Sequence, residues 1–385
     1  MTTIVSDNIL SALGMTTLEN FSKVKQGISG LTRYEGLFGL PEPFVASVID
    51  GILLENAFYK LLPPPEWFRL DNRYTKLEKA AIVSVANALE NTCIDASDPG
   101  VLFILSTTKG NIFLLDAEEA KEYEKERIYL WRSAEIIAGF FGNNNTPRVV
   151  SNACISGATA LLTAKRALDA ELYDCVIVVG VDTLSRFIIS GFQSFKALSA
   201  EICKPFDAGR NGLNIGEAAA TIIMTNEPRP RDGEIVLSAG AIRNDANHIS
   251  GPSRTGEGAF LALQKTLEGI SADELAFINA HGTASIYNDE MEAVALTRAG
   301  LNQVPVNSLK GYFGHTLGCA GVLESIIATH ALREGVVLKT YGFETSGVTH
   351  PIRVADKCTG TTRKRCVNML SGFGGCNASI LYSLS

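Results

Sequence analysis

Residues 148–170 read RVVSNACISGATALLTAKRALDA, and the order of residue types in this stretch indicates the fold. A β-branched run ends at Val150, small residues follow, and an apolar segment with helical periodicity extends over Ala153–Ala170. Because this segment is apolar nearly all round, we expect a buried helix. A strand that turns sharply into a buried helix is typical of an α/β fold.

The rest of the chain alternates between strand-like and helix-like segments, which also favours an α/β fold. Helical periodicity marks Thr75–Glu90, whereas the highly charged Asp116–Ile137 is predicted to face solvent. Three short apolar runs predict strands that are buried on both faces, namely Val101–Leu105, Cys175–Val181 and Ala219–Met224.

A faint internal repeat suggests that the fold consists of two similar halves. The residue types of Gly157, Ala164, Ala167 and Leu168 recur at one constant shift as Gly321, Ala328, Ala331 and Leu332. Each set lies in an apolar helix with an early glycine, so the two helices could pack closely face to face. The stretch 226–233, which contains prolines and charges, is typical of a linker. We predict an N-terminal half over residues 1–228 and a C-terminal half over residues 229–385.

The overall composition argues against several classes of protein. The 385-residue chain is 46% hydrophobic and 19% charged, which allows a large core and argues against disorder. Its net charge of −7 argues against nucleic-acid binding, which needs a basic surface. No apolar run approaches the roughly 20 residues of a membrane span, and the first residues lack the features of a secretory signal. The eight cysteines show no CxxC spacing, so we expect free thiols, a cytoplasmic location and no metal site.

Cys154 is the first candidate for chemistry, because the predicted strand-to-helix turn places it at a helix N-terminus. The helix dipole and the free amides at such a position stabilise a thiolate. A cysteine of this kind can attack a thioester and carry the acyl group. The segment alone is equally compatible with an ordinary buried cysteine at a tight turn.

Two histidines follow predicted strands further along the chain. His281 lies in Phe277–Thr283, at the carboxyl end of a strand-like run, where α/β folds bind ligands. His315 lies shortly after Lys310 and leads into the second repeated helix. A lysine near this histidine would disfavour a charged imidazolium, and a neutral imidazole can donate a hydrogen bond to a carbonyl oxygen. A single histidine is, however, more often structural.

The glycine-rich loop Ser371–Ala378 follows a strand-like run near the end of the chain. Its glycines allow close approach of the backbone to a reacting carbonyl, and a loop amide can serve an oxyanion hole. A tight hairpin explains the same glycines, so this loop is informative only in combination with the other three segments.

Together, the four segments resemble the condensing enzymes of the thiolase superfamily, and in particular the chain-elongating β-ketoacyl-acyl carrier protein synthases with a Cys-His-His site. The resemblance extends over nearly the whole chain. The matching residues outside Cys154 are Lys204-Pro205-Phe206-Asp207 with Arg210, Gly212, Gly216 and Glu217; Asn247–Pro252; His281-Gly282-Thr283 with Asn288, Asp289 and Glu292; Gly314-His315 with Gly318, Ala320, Gly321 and Glu324; and Phe373 at the gating position.

This resemblance implies an α/β fold of the thiolase-like, five-layer αβαβα type with two pseudo-symmetric halves, usually in a dimer, without metal or organic cofactor. It implies that an acyl chain moves from a carrier to Cys154 and that malonyl-ACP then loses carbon dioxide. The resulting carbanion attacks the Cys154 thioester, which gives β-ketoacyl-ACP for fatty-acid, polyketide or polyene-type biosynthesis. His281 and His315 would stabilise the enolate, and the backbone amides of Cys154 and Phe373 would form the oxyanion hole.

The resemblance also implies supporting residues and partners. Supporting roles fall to Lys310, Glu324 and Asp289, and substrate contacts fall to Phe206, Thr283, Gly374 and Gly375. The expected partners are an acidic acyl carrier protein, acyl and malonyl thioesters, and a second copy of the chain or a related subunit. The candidate residues for docking the carrier are Lys204, Arg210, Arg243 and Arg254. Simple surface charge explains each of these four residues equally well.

Several positions depart from the family pattern. Ala284 and Ile286 stand where glycine and proline are usual, Cys376 replaces the common threonine, and Arg254 stands where the family is often neutral. We interpret these changes as specialisation for an unusual chain, such as a polyene. Two alternatives stay open: a degradative or biosynthetic thiolase, which uses a second cysteine near the C-terminus, and a non-catalytic subunit like a chain-length factor. The synthase-type motif at His281 opposes the first, and the presence of Cys154 opposes the second.

Overall fold

The computed structural model describes residues 1–62, 74–227 and 229–385. The strands in these residues are β1 Thr2–Ser11, β2 Thr32–Tyr34, β3 Phe44–Ser47, β4 Val101–Ser106, β5 Arg148–Val150, β6 Cys175–Asp182, β7 Ile215–Gly216, β8 Ala218–Asn226, β9 Ile235–Asn244, β10 Leu275–Asn279, β11 Val306–Asn307, β12 Val336–Val337, β13 Thr359–Gly360, β14 Arg365–Gly372 and β15 Cys376–Leu384. The helices are α1 Thr17–Gln26, α2 Gly51–Tyr59, α3 Lys76–Leu89, α4 Leu130–Phe140, α5 Ser156–Asp169, α6 Arg186–Ser194, α7 Glu257–Thr266, α8 Ile286–Arg298, α9 Lys310–Phe313 and α10 Ala320–Arg333.

The elements expected from periodicity are present with small shifts at their ends. The helix predicted over Thr75–Glu90 is α3, and Thr75 caps it in a capping box with Glu78. The three predicted buried strands are β4, β6 and β8. The expectation that all of Asp116–Ile137 faces solvent is wrong. Its first part is largely exposed, but Arg127 is buried and α4 buries an apolar face against the core, because its apolar residues recur with helical spacing.

Ten of the described strands form one mixed sheet in the order β11-β10-β14-β15-β9-β1-β8-β6-β4-β5. Its centre is the antiparallel pair of β1 and β9, in which Ile4 lies opposite Ile235. Outward from this pair, each side uses its strands in the same chain order. The outer neighbours β4 and β6, like β10 and β14, run parallel. The two sides therefore repeat one topology.

The helices complete five layers. Helices α5 and α10 pack between the two halves of the sheet, one made of β1, β8, β6, β4 and β5 and the other of β9, β15, β14, β10 and β11. Helix α3 covers the outer face of the first half, whereas α7 and α8 cover the outer face of the second half. Strand β4 is apolar from Val101 to Leu105 because both of its faces are buried. Leu102 and Ile104 face α5 and α10, while Phe103 and Leu105 face the outer layer. The thiolase-like αβαβα architecture is thus confirmed.

Two glycines bring the backbones of α5 and α10 into direct contact. A Cβ atom at Gly321 would lie 2.3 Å from the backbone nitrogen of Ala158, and one at Gly157 would lie 2.7 Å from that of Val322. No side chain fits at either position, so the predicted face-to-face packing of the repeated helices is confirmed. Because Cys154 precedes α5 in the chain, this contact positions the turn that carries it.

The predicted linker lies between β8 and β9. One of its residues, Pro228, is outside the described residues. The division into halves at residues 228 and 229 stays a prediction. Among the described helices, none combines the length and the apolar character that a membrane span requires.

Candidate active site

Cys154, His281 and His315 come together although they lie far apart in the sequence. The Cys154 Sγ and one ring nitrogen of each histidine all lie within 4.8 Å of one another. The two imidazole rings have centroids 5.0 Å apart and are inclined at 84°. The side chains are almost completely buried but reach one wall of a pocket of about 460 Å³. The predicted convergence of these three side chains is therefore observed.

A strained turn directs the Cys154 side chain. Ala153 has a φ of +45°, which residues other than glycine, asparagine and aspartate rarely adopt. The turn is closed by the Ile155 amide, which donates to the Asn152 carbonyl at 3.2 Å, and by the Ser156 amide, which donates to the Ala153 carbonyl at 3.2 Å. Backbone strain that the surroundings hold in place is common at functional sites.

Burial of the sulfur opposes the expected stabilisation of a thiolate at Cys154. Burial raises the pKa of the Cys154 thiol to about 11, while the Lys310 ammonium and a hydrogen bond from the Phe373 amide act in the opposite direction. Removal of water from around the sulfur therefore outweighs the favourable groups. At neutral pH the resting cysteine is a thiol, which must lose its proton during acylation.

Both imidazoles are neutral and are oriented by their Nδ1 atoms. Burial lowers the pKa of His281 and of His315 well below the usual value, and Lys310 lowers both further, an effect that the sequence predicts for His315. His315 Nδ1 accepts the Leu317 amide at 3.2 Å, so its proton must reside on Nε2. Lys310 Nζ, which can only donate, lies 3.4 Å from His281 Nδ1, so the same tautomer follows for His281.

The Nε2 of His315 is buried and has no hydrogen-bond partner among the described residues. A buried donor without a partner is costly unless a ligand satisfies it. Because the ring also lines the pocket, this N–H is available to a bound molecule. The site thus offers one thiol and two neutral Nε2–H donors.

Lys310 and Glu324 form a fully buried ion pair behind the histidines. Burial raises the pKa of Glu324, which Lys310 opposes by direct attraction. Asn279 also donates to Glu324, at 3.4 Å. Three buried ligand atoms this close could in principle bind a metal ion. However, a bound cation would be repelled by the nearby Lys310 ammonium, whose charge already acts on both histidines.

Glu292 is a functional residue whose importance the sequence analysis understated. Its carboxylate accepts the amides of His281 and Gly282, each at 2.7 Å, and thereby holds the backbone that carries the histidine. Burial raises its pKa to about 8, and the neighbouring charge of Asp289 adds to the effect. Asp289 itself accepts the Phe206 amide at 2.7 Å, so it supports the site indirectly. The spacing of the two acids on α8 was the available signal.

The glycine loop covers Cys154 from the opposite side. It is the turn of the β14–β15 hairpin, and the Phe373 amide points at the Cys154 sulfur. The Phe373 ring is 39% exposed at the pocket wall and contacts Phe192 and Phe195, at centroid distances of 6.1 and 5.9 Å. Three aromatic rings therefore form part of the pocket mouth.

The predicted substrate-contact residues divide into two groups. Thr283 and Gly375 line the pocket, whereas Phe206 and Gly374 do not. Phe206 is fully buried in the packing behind the histidine loop, where its ring would touch any Cβ atom at Gly282. The prediction that Phe206 contacts the substrate is therefore wrong for this pocket, and Phe206 instead packs behind the histidine loop.

The four residues that were predicted to dock the carrier protein differ in their exposure to solvent. Lys204 is partly exposed, and Arg243 and Arg254 are exposed. The assignment of Arg210 is wrong, because its side chain is only 6% exposed, lies 4.0 Å from Asp289 and donates to the Asp207 carbonyl. Lys196, which the sequence analysis did not single out, is exposed and lines the pocket.

Residues 71–229 match the family described as Beta-ketoacyl synthase, N-terminal domain, and residues 235–344 match the one described as Beta-ketoacyl synthase, C-terminal domain. Together these ranges cover well over half of the chain. The chain belongs to the β-ketoacyl synthase family.

Curated relatives of this family member support the assignment. The 3-oxoacyl-[acyl-carrier-protein] synthase 2 of Rhizobium meliloti (strain 1021) is 33% identical over 254 residues, which cover 60% of this chain and 59% of that protein. The mitochondrial 3-oxoacyl-[acyl-carrier-protein] synthase of Arabidopsis thaliana is 30% identical over 271 residues, which cover 64% of this chain and 57% of that protein. The matched region thus spans less than two thirds of these relatives.

Solved structures share the fold over the whole chain of this β-ketoacyl synthase family member. A chain from the complex of a ketosynthase with its chain length factor, from Xenorhabdus doucetiae, has a TM-score of 0.87 at 24% identity and covers 100% of this chain, with 98% of that chain covered. A β-ketoacyl synthase from Burkholderia phymatum STM815 has a TM-score of 0.83 at 21% identity, with coverages of 100% and 99%.

Proposed function

We propose that this protein catalyses the decarboxylative Claisen condensation of a Cys154-bound acyl thioester with malonyl-ACP. The observation that carries the proposal is the grouping of one thiol and one ring nitrogen from each of two neutral imidazoles within 4.8 Å on the wall of one pocket. Membership in the β-ketoacyl synthase family supports it. The product is β-ketoacyl-ACP, for fatty-acid, polyketide or polyene-type biosynthesis.

In the first half-reaction, the Cys154 sulfur attacks the carbonyl carbon of an acyl thioester. The oxygen that becomes negative is held by the amides of Cys154 and Phe373, the second of which already points at the sulfur. The carbon–sulfur bond to the carrier then breaks. The proton lost by the Cys154 thiol balances the proton gained by the carrier thiol.

In the second half-reaction, the malonyl thioester carbonyl accepts hydrogen bonds from the two imidazoles. Its carboxylate leaves as carbon dioxide, and the electron pair of the broken bond forms an enolate. The enolate carbon attacks the acyl thioester on Cys154, and the bond between the acyl carbon and the cysteine sulfur breaks. The cysteine sulfur then takes up a proton from solvent, so one proton is consumed in each condensation. Neutral imidazoles suit this role because an N–H donor stabilises the enolate without the cost of a buried charge.

The partners that we propose are an acyl carrier protein and a second subunit, either identical or related. Lys196 supports the first, since it is an exposed cation on the pocket wall and a carrier of this kind is acidic. The similarity to a chain from a complex of a ketosynthase with its chain length factor supports a related subunit. All eight cysteines are free thiols, which supports a reducing compartment such as the cytoplasm.

Specialisation for an unusual acyl chain also belongs to this proposal. Ile286 departs from the family pattern and lies on the pocket wall beside Tyr287, Met291 and Phe192. An apolar wall suits an unsaturated or otherwise extended hydrocarbon chain. Acylation of Cys154 with saturated and unsaturated acyl carriers of equal length tests this point, and equal rates would refute it.

A thiolase is disfavoured by the position of Cys376. Its thiol donates to the Asn152 side chain at 3.3 Å and does not reach the pocket wall. A second thiol is therefore absent from the wall of the pocket that the described residues form around Cys154. A non-catalytic subunit is disfavoured by Cys154 itself, which retains a complete set of partners.

The test is a comparison of three variants in separate assays of acylation, malonyl decarboxylation and condensation. We expect Cys154→Ala to abolish condensation without abolishing decarboxylation. We expect His281→Ala and His315→Ala to impair decarboxylation while Cys154 is still acylated. Full condensation by the cysteine variant would end the proposal, and a selective loss of acylation in either histidine variant would overturn the assigned roles.

A further inference from the structure

Asp182, at the end of β6, is a fully buried carboxylate that the chemistry above does not use. It accepts hydrogen bonds from Thr107 Oγ1 at 2.7 Å, from the Thr108 amide at 3.0 Å, from Thr108 Oγ1 at 3.1 Å and from the Gly318 amide at 2.7 Å. The threonines follow β4, whereas Gly318 follows His315. Asp182 thus joins the two sides of the fold at the level of the active site.

The turn that Asp182 holds is the one that orients His315. Leu317 has a φ of +52°, and its amide donates to His315 Nδ1 at 3.2 Å. A leucine rarely adopts this conformation, so contacts outside the turn must maintain it. Two such contacts reach the next residue, since the Gly318 amide donates to Asp182 and its carbonyl accepts Ser106 Oγ at 3.1 Å.

We propose that Asp182 is a positioning residue that fixes the tautomer of His315. By holding Gly318, it keeps the Leu317 amide on His315 Nδ1, so the proton stays on Nε2, the atom that faces the pocket without a partner. The inference rests on the proposed function in one respect only, namely that this Nε2–H serves the malonyl carbonyl.

Charge supports the same assignment. Burial raises the pKa of Asp182, but its hydrogen bonds from Thr107, Thr108 and Gly318 oppose this effect. Because the Gly318 and Thr108 amides can only donate, the unprotonated carboxylate is the form that satisfies them both. An asparagine at this position would turn one of its own N–H groups toward these donors and would release at least one of them.

The direct test is the ¹⁵N NMR spectrum of the histidine side chains in the full-length protein. The chain has five histidines, and His315→Ala assigns the resonance of interest. We expect the wild-type His315 to be neutral, with its proton on Nε2. In Asp182→Asn we expect a mixed population with substantial Nδ1–H. A wild-type His315 protonated on Nδ1, or an unchanged tautomer in the variant, would overturn the proposal.

Asp207→Asn is the matched control. Asp207 is also a buried aspartate that accepts backbone amides, from Gly209, Glu344 and Thr345, but it does not contact the His315 turn. We expect this variant to lower stability without changing the His315 resonances. A similar change of tautomer in both variants would refute a specific role for Asp182.

The second test compares two partial reactions. In Asp182→Asn, malonyl decarboxylation should fall roughly tenfold to a hundredfold, by analogy with the loss of residues that orient metal-binding histidines, while acylation of Cys154 falls less. An equal loss of both reactions would indicate a merely structural role and would refute the proposal. If the tautomer changes but the wild type does not decarboxylate malonyl thioesters, the proposed function fails and the positioning role stands.

Discussion

Replacement of Gly321 by alanine tests whether the contact between α5 and α10 holds the active site together. The added Cβ atom would lie 2.3 Å from the Ala158 backbone nitrogen, where an ordinary contact begins at 3.4 Å. The two helices must therefore separate by about 1 Å, because backbone atoms cannot rotate away. The turn with Cys154 lies directly before α5, so the separation also shifts the sulfur relative to His315.

The magnitude follows from two opposing effects. Overpacking of a tight interface costs about 3 kcal/mol, and the better helix propensity of alanine returns up to about 1 kcal/mol. The expected net loss is about 2 kcal/mol. Unfolding entropy of about 2.1 cal/mol/K per residue amounts to roughly 0.8 kcal/mol/K for 385 residues, so Tm should fall by about 2.5 °C. Activity should fall much further, by about a hundredfold, because a misplacement of about 1 Å has that effect on catalysis.

Thermal unfolding and condensation are measured on Gly321→Ala and on Gly139→Ala as the control. Gly139 also lies within a helix, but a Cβ atom there meets nothing within 4 Å. We expect the control to gain about 0.5–1 kcal/mol and to keep full activity. If Gly321→Ala had wild-type Tm and activity, the dependence of the site on this backbone contact would be refuted.

Three further predictions concern single side chains. The alkylation rate of Cys154 by iodoacetamide should rise about tenfold per pH unit from about pH 7 to about pH 9, since only the thiolate reacts and the pKa of this thiol is about 11. Peptide mass spectrometry measures this rate, and a rate that is constant near neutral pH would contradict the prediction. Glu324→Gln should lower the free energy of unfolding by about 3–5 kcal/mol because it leaves the Lys310 ammonium buried without its partner; a loss below about 1 kcal/mol in denaturant unfolding would argue against that. Cys376→Ser should retain most of the condensing activity because the thiol bonds to Asn152 away from the pocket, whereas loss of activity would revive the thiolase alternative.

Local sequence patterns were sufficient for most of the secondary structure. Apolar periodicity and capping residues act within a few positions, which is why α3 and β4 could be predicted almost to their ends. The charged stretch before α4 does not predict its own burial, because charge usually indicates exposure. Arg127 is buried nonetheless, since Glu78, from a remote helix, neutralises it.

Residues that act through remote partners were missed or misassigned for the same reason. Thr107 and Gly318, which donate hydrogen bonds to Asp182, lie 75 and 136 positions away from it in the chain. Nothing near Asp182 in the sequence therefore indicates its role. Arg210 was assigned to the surface because it is charged, but the buried Asp289 draws it inward. Lys196 was overlooked because only the folded chain brings it to the pocket mouth.

The sequence by itself determined the alternation of strand-like and helix-like segments and the two glycine-bearing helices, and its resemblance to the β-ketoacyl synthases indicated the thiol and the two imidazoles. Those features depend on residue type and short spacing, which a linear chain expresses directly. Only the tertiary structure decided that Cys154 rests as a thiol and that both imidazoles present Nε2–H to the pocket. Protonation and tautomer depend on burial and on hydrogen-bond donors, and folding brings those together from distant parts of the chain.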